Sequence, residues 1–155
     1  MASTTSLPAV LSPPLNDREA VADALYRCVI GLDTNDAALF DSAFMPNASF
    51  SINGQASQGI QAIHTNCFDV IAKLDTTHFL TNLRIHIDSS KAKLTCTALS
   101  QHFRGQKGLA PDQTYLMAGS LYWADLVKDG DLWKIETVQM KSTWAEGDWG
   151  VMTGN

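Results

Sequence analysis

Charge is what this chain has least of. Asp, Glu, Lys and Arg together supply 17% of its 155 residues, against roughly a quarter in ordinary globular domains. The 11 basic residues are scattered singly among 16 acidic ones, for a net charge of −5. The clustered positive stripe that tracks a nucleic-acid backbone is therefore missing, and no nucleic-acid partner is expected. Long apolar runs are missing too. The longest stretch without charge, Ser42 to Phe68, is interrupted by Pro46, Asn53-Gly54 and Gly59 and cannot span a membrane. Residues 1–16 hold no Lys or Arg, and their apolar run is broken by Pro8, Pro13 and Pro14, which is unlike a signal peptide. Cys28, Cys67 and Cys96 are odd in number and lack C-x-x-C spacing. They read as reduced, buried thiols of a cytoplasmic protein.

What the chain does have is apolar residues, 45% of the total, enough for one well-filled core at this length. Residues 1–15 read as a flexible leader, 16–148 as a single domain and 149–155 as a C-terminal tail, disordered or folded over a pocket. Asn16 with Glu19 forms a capping box, and Val21, Leu25, Cys28 and Leu32 recur at helical spacing, so the pattern predicts a helix over 17–32. A short helix over 37–44, capped by Asn35 or Asp36, and a strand over 48–52 follow. A third helix is expected over 59–74, with Ile60, Ile63, Cys67 and Ile71 on one face.

After Asp75 the period changes from 3.6 to 2, with alternating runs over 77–88, 91–104, 114–128 and 132–144, joined by hairpin-length turns. Long antiparallel strands after three helices predict an α+β fold in which a curved sheet wraps around the helices and leaves a pocket. In the second run the even positions Ala92, Leu94, Cys96, Ala98, Ser100 and His102 face inward; in the third, Leu116, Ala118, Ser120, Tyr122, Ala124 and Leu126 do. Tyr122 is thus a pocket wall. In the first run Phe79, Leu83, Ile85 and Ile87 share one parity, so strict alternation sends His78 outward; a bulge near Thr81-Asn82 would turn it inward. A second phase change, from Trp133 and Ile135 to Val138 and Met140, predicts a bulge near Glu136-Thr137.

Three ionisable residues carry candidate chemistry. Asp33 ends the first helix, where a carboxylate opposes the negative end of the helix dipole, although a solvated turn accounts for it equally well. His102 lies on an apolar inward face, where a lone histidine is more often a hydrogen-bonded core residue than a catalyst. His78 depends on the bulge, and His64 and His86 read as surface residues.

The segments Asp17–Tyr26, Gly31-Leu32-Asp33, Thr77–Asn82, Ser100-Gln101-His102, Asp131–Ile135 and Trp144–Gly147, in that order, resemble the SnoaL-like branch of the nuclear-transport-factor-like superfamily over nearly the whole chain. The resemblance implies a cone-shaped α+β barrel of the cystatin-like type, with a deep pocket, in homodimers or homotrimers. The order Asp, His, His is similar to scytalone dehydratase and, more distantly, to bile-acid dehydratases, which eliminate water without a cofactor or metal. Carried over, Asp33 holds and polarises His78, His78 moves the substrate proton, and His102 orients or protonates the leaving oxygen. The remaining wall is expected from Tyr26, Phe50, Asn82, Tyr115, Tyr122 and Trp144, the last at the pocket mouth or a subunit interface. Where scytalone dehydratase has a tyrosine before its Asp, this chain has Leu32, which points to a different substrate. The expected activity is therefore a dehydratase or isomerase of secondary metabolism, acting on a mostly apolar polycyclic or polyketide-like ketone. Two alternatives remain at this stage: a non-catalytic binding or assembly module on the same scaffold, and a two-His-one-carboxylate metal site, which lacks supporting ligand spacing.

Overall fold

Five of the six strands of the described residues follow the sequence pattern, and the differences lie in one short extra strand, in the two later helices and at bulges. The computed structural model describes residues 6–154. Helix α1 (Asp17–Thr34) starts at the capping box: Asn16 Oδ1 accepts from the Glu19 backbone N–H at 3.0 Å, and the Glu19 carboxylate accepts from the Asn16 N–H at 3.1 Å. Asn35 closes the helix in the left-handed region at φ 54°. Helix α2 (Ala37–Ser42) is capped by Asp36 and is shorter than expected, because Phe44 already belongs to β1 (Phe44–Ile52). The Asn53-Gly54 turn leads into β2 (Gln55–Gln58), a short strand the pattern did not predict. The third expected helix is α3 (Ile60–Ile63) and α4 (Asp69–Ile71) joined by a π-helical turn over His64–Phe68. Such a turn admits one extra residue, and here Ile63, Cys67, Phe68 and Ile71 all stay buried across it.

Strands β3 (Asp75–Asp88), β4 (Lys91–Phe103), β5 (Tyr115–Asp129) and β6 (Leu132–Gly147) form an antiparallel meander. Strand β1 adds to β6 in parallel, so the sheet is mixed, in the order β2-β1-β6-β5-β4-β3. Helix α1 lies across the inner face, and Val21, Leu25, Phe40, Leu94, Leu126, Trp133 and Ile135 fill the core at 2% exposure or less. Each such side chain contributes about 1.5–3 kcal/mol by leaving water. Arg27, also buried, ties the layers together by donating to the Ser42 and Trp133 carbonyls and pairing with Asp23.

Of the expected leader over 1–15, residues 1–5 lie outside the described residues, and 6–15 carry bends but no helix or strand. The tail folds: Gly150–Thr153 makes one helical turn, α5, anchored by fully buried Val151. Gly147 turns the chain into it at φ +108°, where a side chain would meet the Tyr115 carbonyl oxygen at 2.0 Å. Among the described residues no helix is long and apolar enough to cross a membrane.

Candidate active site

Three bulges decide what faces the interior. Between Thr81 and Arg84, β3 uses one more residue than β4, since Thr81 pairs with Thr97 and Arg84 with Thr95. Asn82, at φ 55°, is the bulge residue; asparagine tolerates this left-handed conformation better than most. The extra residue reverses side-chain direction, so Thr76, His78 and Leu80 share the inner side with Leu83, Ile85 and Ile87, and Phe79 goes outward. A bulge at Glu136 in β6 is likewise where the phase change placed it. A third, at Thr143, was not visible in the alternation: Ser142 pairs with Ser120 but Trp144 with Gly119.

With His78 inward, a triad of contacts forms around Asp33. The His78 Nδ1–H donates to Asp33 Oδ1 at 2.6 Å, the His78 backbone N–H donates to Oδ2 at 2.8 Å, and the Thr76 hydroxyl donates to Oδ1 at 2.5 Å. The Asp33 and His78 side chains are only 17% and 7% exposed. Burial pushes the Asp33 carboxyl up, but the His78 ring, its positive charge when protonated, the Thr76 hydroxyl and the His78 N–H together outweigh burial and hold it below the usual carboxylate range. A carboxylate can only accept, so Nδ1 of His78 carries the proton and Nε2 is left as a base.

His102 stands edge-on to His78, with ring centroids 5.2 Å apart and planes at 83°. Its Nδ1–H donates to the Leu116 carbonyl at 3.3 Å, which leaves Nε2 as an acceptor. Burial, reinforced by His78, lowers the His102 pKa to about 4 despite the opposing effects of the Leu116 carbonyl and Asp33. His102 is therefore neutral near pH 7. Of the two roles expected for it, the geometry fits orienting an oxygen by accepting its O–H rather than supplying a proton. Among the described residues every buried side-chain nitrogen and oxygen has a partner. The Nε2 atoms of both rings have none among the described residues, so they open onto the cavity the rings line.

That cavity encloses about 160 Å³, close to the size of the roughly 150 Å³ engineered void that holds a benzene ring. Leu32, Phe50, Cys67, Val70 and Ile71 make its apolar wall; Ser100, Ser120 and Tyr122 join the histidines on the sheet side; Trp149 and Met152 from the tail close it. A larger open groove of about 860 Å³ passes Lys93, Trp123 and Asp125 but contains neither histidine. No group of three or more His, Cys, Asp or Glu among the described residues is placed to hold a metal ion.

Of the expected wall residues, Phe50 and Tyr122 line the cavity and four do not. Tyr26 lies on the outer side of α1, next to rather than on the Val21-Leu25-Cys28-Leu32 face, and is 38% exposed. Asn82 is carried outward by its own bulge and donates to the Thr97 hydroxyl. Tyr115 has the outward parity of β5, and its phenol donates to Glu146. Trp144 is flipped outward by the Thr143 bulge and lies over Gly119, where a Cβ would come within 2.2 Å of its indole nitrogen. Sequence reasoning missed Thr76, which shares the side of His78 once the bulge is known. It also left open the tail, whose Trp149 and Met152 carried an apolar signal.

Residues 13–139 match the SnoaL-like domain. The chain belongs to that family. Within it, a curated relative from Penicillium crustosum, named terrestric acid biosynthesis cluster protein E, is 52% identical over 149 residues, covering 94% of this chain and 96% of the relative. The fold of this SnoaL-like protein is also that of a hexachlorocyclohexane dehydrochlorinase, LinA type 2, with TM-score 0.71 and 18% identity over 86% of this chain and 90% of the other. A scytalone dehydratase candidate from Novosphingobium aromaticivorans matches with TM-score 0.74 and 18% identity over 85% and 87%. At such identities the likeness speaks for the fold alone.

Proposed function

We propose that this SnoaL-like protein is a cofactor-independent lyase or isomerase that moves a proton on a small carbonyl compound of secondary metabolism. The observation that carries the reading is the His78 Nε2 base, held by Asp33 and opening onto a recessed, largely apolar cavity. His78 takes the proton from the carbon beside the carbonyl, and the Asp33 carboxylate stabilises the resulting imidazolium. In an elimination, the imidazolium returns that proton to the hydroxyl on the next carbon, which leaves as water while the double bond forms; His102 Nε2 accepts the O–H beforehand and fixes the hydroxyl. In an isomerisation the same proton is returned to a different carbon. The cavity volume favours one ring over the polycyclic alternative. The name of the 52% identical relative supports a place in a biosynthetic cluster.

Comparing the metabolites of a producing strain that carries the wild-type chain, Asp33→Asn or His78→Ala tests this. Both variants are expected to fold and to accumulate a precursor, one water heavier than the product for an elimination and of equal mass for a proton shift. Full activity in both would overturn the reading, and unchanged metabolites with retained ligand binding would favour the binding module. A homo-oligomer is supported by an outer-face apolar patch of Phe79, Leu99, Leu121, Trp123 and Trp144, 37–58% exposed on adjoining strands. Three unpaired, buried cysteines support a reducing compartment such as the cytoplasm.

A further inference from the structure

The sheet side of the cavity holds more polar atoms than the proton transfer needs. Ser100, Ser120 and Tyr122 are 8%, 5% and 9% exposed, and none of their hydroxyls has a partner among the described residues. Since every fully buried polar side-chain atom of the described residues is paired, these three hydroxyls open onto the cavity that their residues line.

Their order follows from the register. Ser100 is the β4 partner of His78, and Ser120 pairs with Ala98, so Ser120 is the diagonal neighbour of Ser100 on the same face, about 7–8 Å away. Tyr122 is the next same-face residue along β5, about 7 Å further at the backbone, and lines the same cavity. Burial first, then the neighbouring Cys28, Cys67, Cys96 and Asp33, push its pKa far up and keep it a hydrogen-bond donor.

We infer that Ser100, Ser120 and Tyr122 form a rail of hydroxyls that reads oxygen atoms along one edge of the substrate. The substrate is thereby a single-ring compound oxygenated at two or more positions, such as a cyclic hydroxy-ketone, a lactone or its enol, with its opposite edge on Leu32, Phe50 and Ile71. Ser100 holds the oxygen beside the reacting carbon, and Tyr122 donates to the carbonyl or enol oxygen further from the histidines. The inference rests on the proton-transfer reading for the position of the reacting carbon, but the recognition itself is separable from the chemistry. An apolar ring of equal size leaves three hydroxyls and two imidazoles without partners in a dry cavity, a penalty a ring with matching oxygens avoids. The chain therefore selects against the mostly apolar ketone that composition alone brings to mind.

Resorcinol and toluene, two single rings that differ in edge oxygens, are the probes, with affinities measured by calorimetry or ligand-observed NMR. The wild-type chain is expected to prefer resorcinol by about tenfold or more. The double variant Ser120→Ala with Tyr122→Phe is expected to reduce that preference about tenfold, by weakening resorcinol binding and relieving the penalty on toluene. Equal or tighter toluene binding by the wild type overturns the inference, as does a preference untouched by the variants. If the double variant unfolds, Ser100→Ala and Ser120→Ala separately are expected to reduce the preference by smaller factors, and no reduction in either counts against the rail. A preference that survives while the metabolite experiment shows no precursor leaves the rail standing and removes the chemistry; the converse result removes only the rail.

Discussion

The described residues contain two close His–Asp pairs. His78 and Asp33 approach to 2.6 Å, His64 and Asp41 to 2.5 Å. Their surroundings separate them. The His78 and Asp33 side chains are 7% and 17% exposed, and the carboxylate receives two further hydrogen bonds, from Thr76 and the His78 backbone. His64 and Asp41 are 24% and 48% exposed; the ring packs on Phe40 and Phe68, and the pair fastens the π-helical turn to α2 without lining the cavity. A short contact between the right residue types is thus no sign of a site by itself. What distinguishes Asp33–His78 is a carboxylate held by several donors, and a ring whose other nitrogen opens onto enclosed space. The largest expected difference between the pairs is in turnover. His78→Ala and Asp33→Asn should each lower it by about 10²–10⁴-fold, read as product formed per folded protein. Full activity in both would erase the distinction between the pairs.

The second difference is in acid stability. The His102 pKa is lowered in the folded state from its ordinary 6.5 to about 4, so the unfolded chain takes up that proton first. Stability from this group is complete above 6.5 and falls as pH drops from there towards 4, by on the order of 3 kcal/mol in all. Asp33, held below its ordinary 3.8, acts at lower pH: its contribution is present above 3.8 and lost as pH falls through the folded value. Urea midpoints measured against pH should show both losses. His102→Gln is expected to remove the first and Asp33→Asn the second, while His64→Ala should alter neither; a wild-type curve flat from 6.5 down to 4 would contradict the His102 assignment.

Thr76 offers a finer test, since only the inner pair has such a donor. It acts through Asp33, as a positioning residue. Thr76→Val should lower turnover about tenfold, the value of one charge-assisted hydrogen bond. It should also move the acid limb of the rate profile to higher pH, because the carboxylate loses a donor that holds its pKa down. Thr76→Ser should restore both, whereas a purely structural role for the methyl group predicts no shift of the acid limb.

Which pair faced inward was only half legible in the sequence. Strands β4 and β5 alternate without interruption, so the inward positions of Ser100, His102, Ser120 and Tyr122 follow from parity. His78 follows only from the bulge at Asn82. The change of phase between Leu80 and Leu83 hints at it, but a bulge costs so little that many residues tolerate one. The Thr143 bulge leaves no such trace, because Met140 and Ser142 continue the alternation up to it, so the pattern could not decide between the pocket mouth and a subunit interface for Trp144. Asp33 was identifiable as an acid at the wrong end of a helix, yet its partners are 43 and 45 residues away, beyond any local pattern. The unpartnered state of the three hydroxyls is likewise a property of the assembled cavity rather than of any one strand.

The smallest expected effects belong to the outer pair, and they are the sharpest control. His64→Ala or Asp41→Asn removes an ion pair whose carboxylate is about half exposed, so water and salt screen most of its energy. The cost in stability should be about 1 kcal/mol or less, part of it lost ring packing on Phe40 and Phe68 in the alanine variant. Asp41→Asn keeps that packing, and comparing the two separates charge from contact. Turnover should stay within about twofold of wild type in both. A loss approaching that of His78→Ala would mean that the π-helical turn, which supplies Cys67 to the cavity wall, transmits its own pairing to the proton-transfer centre. The two His–Asp pairs would then be parts of one device, and the contrast between them would be one of position rather than of role.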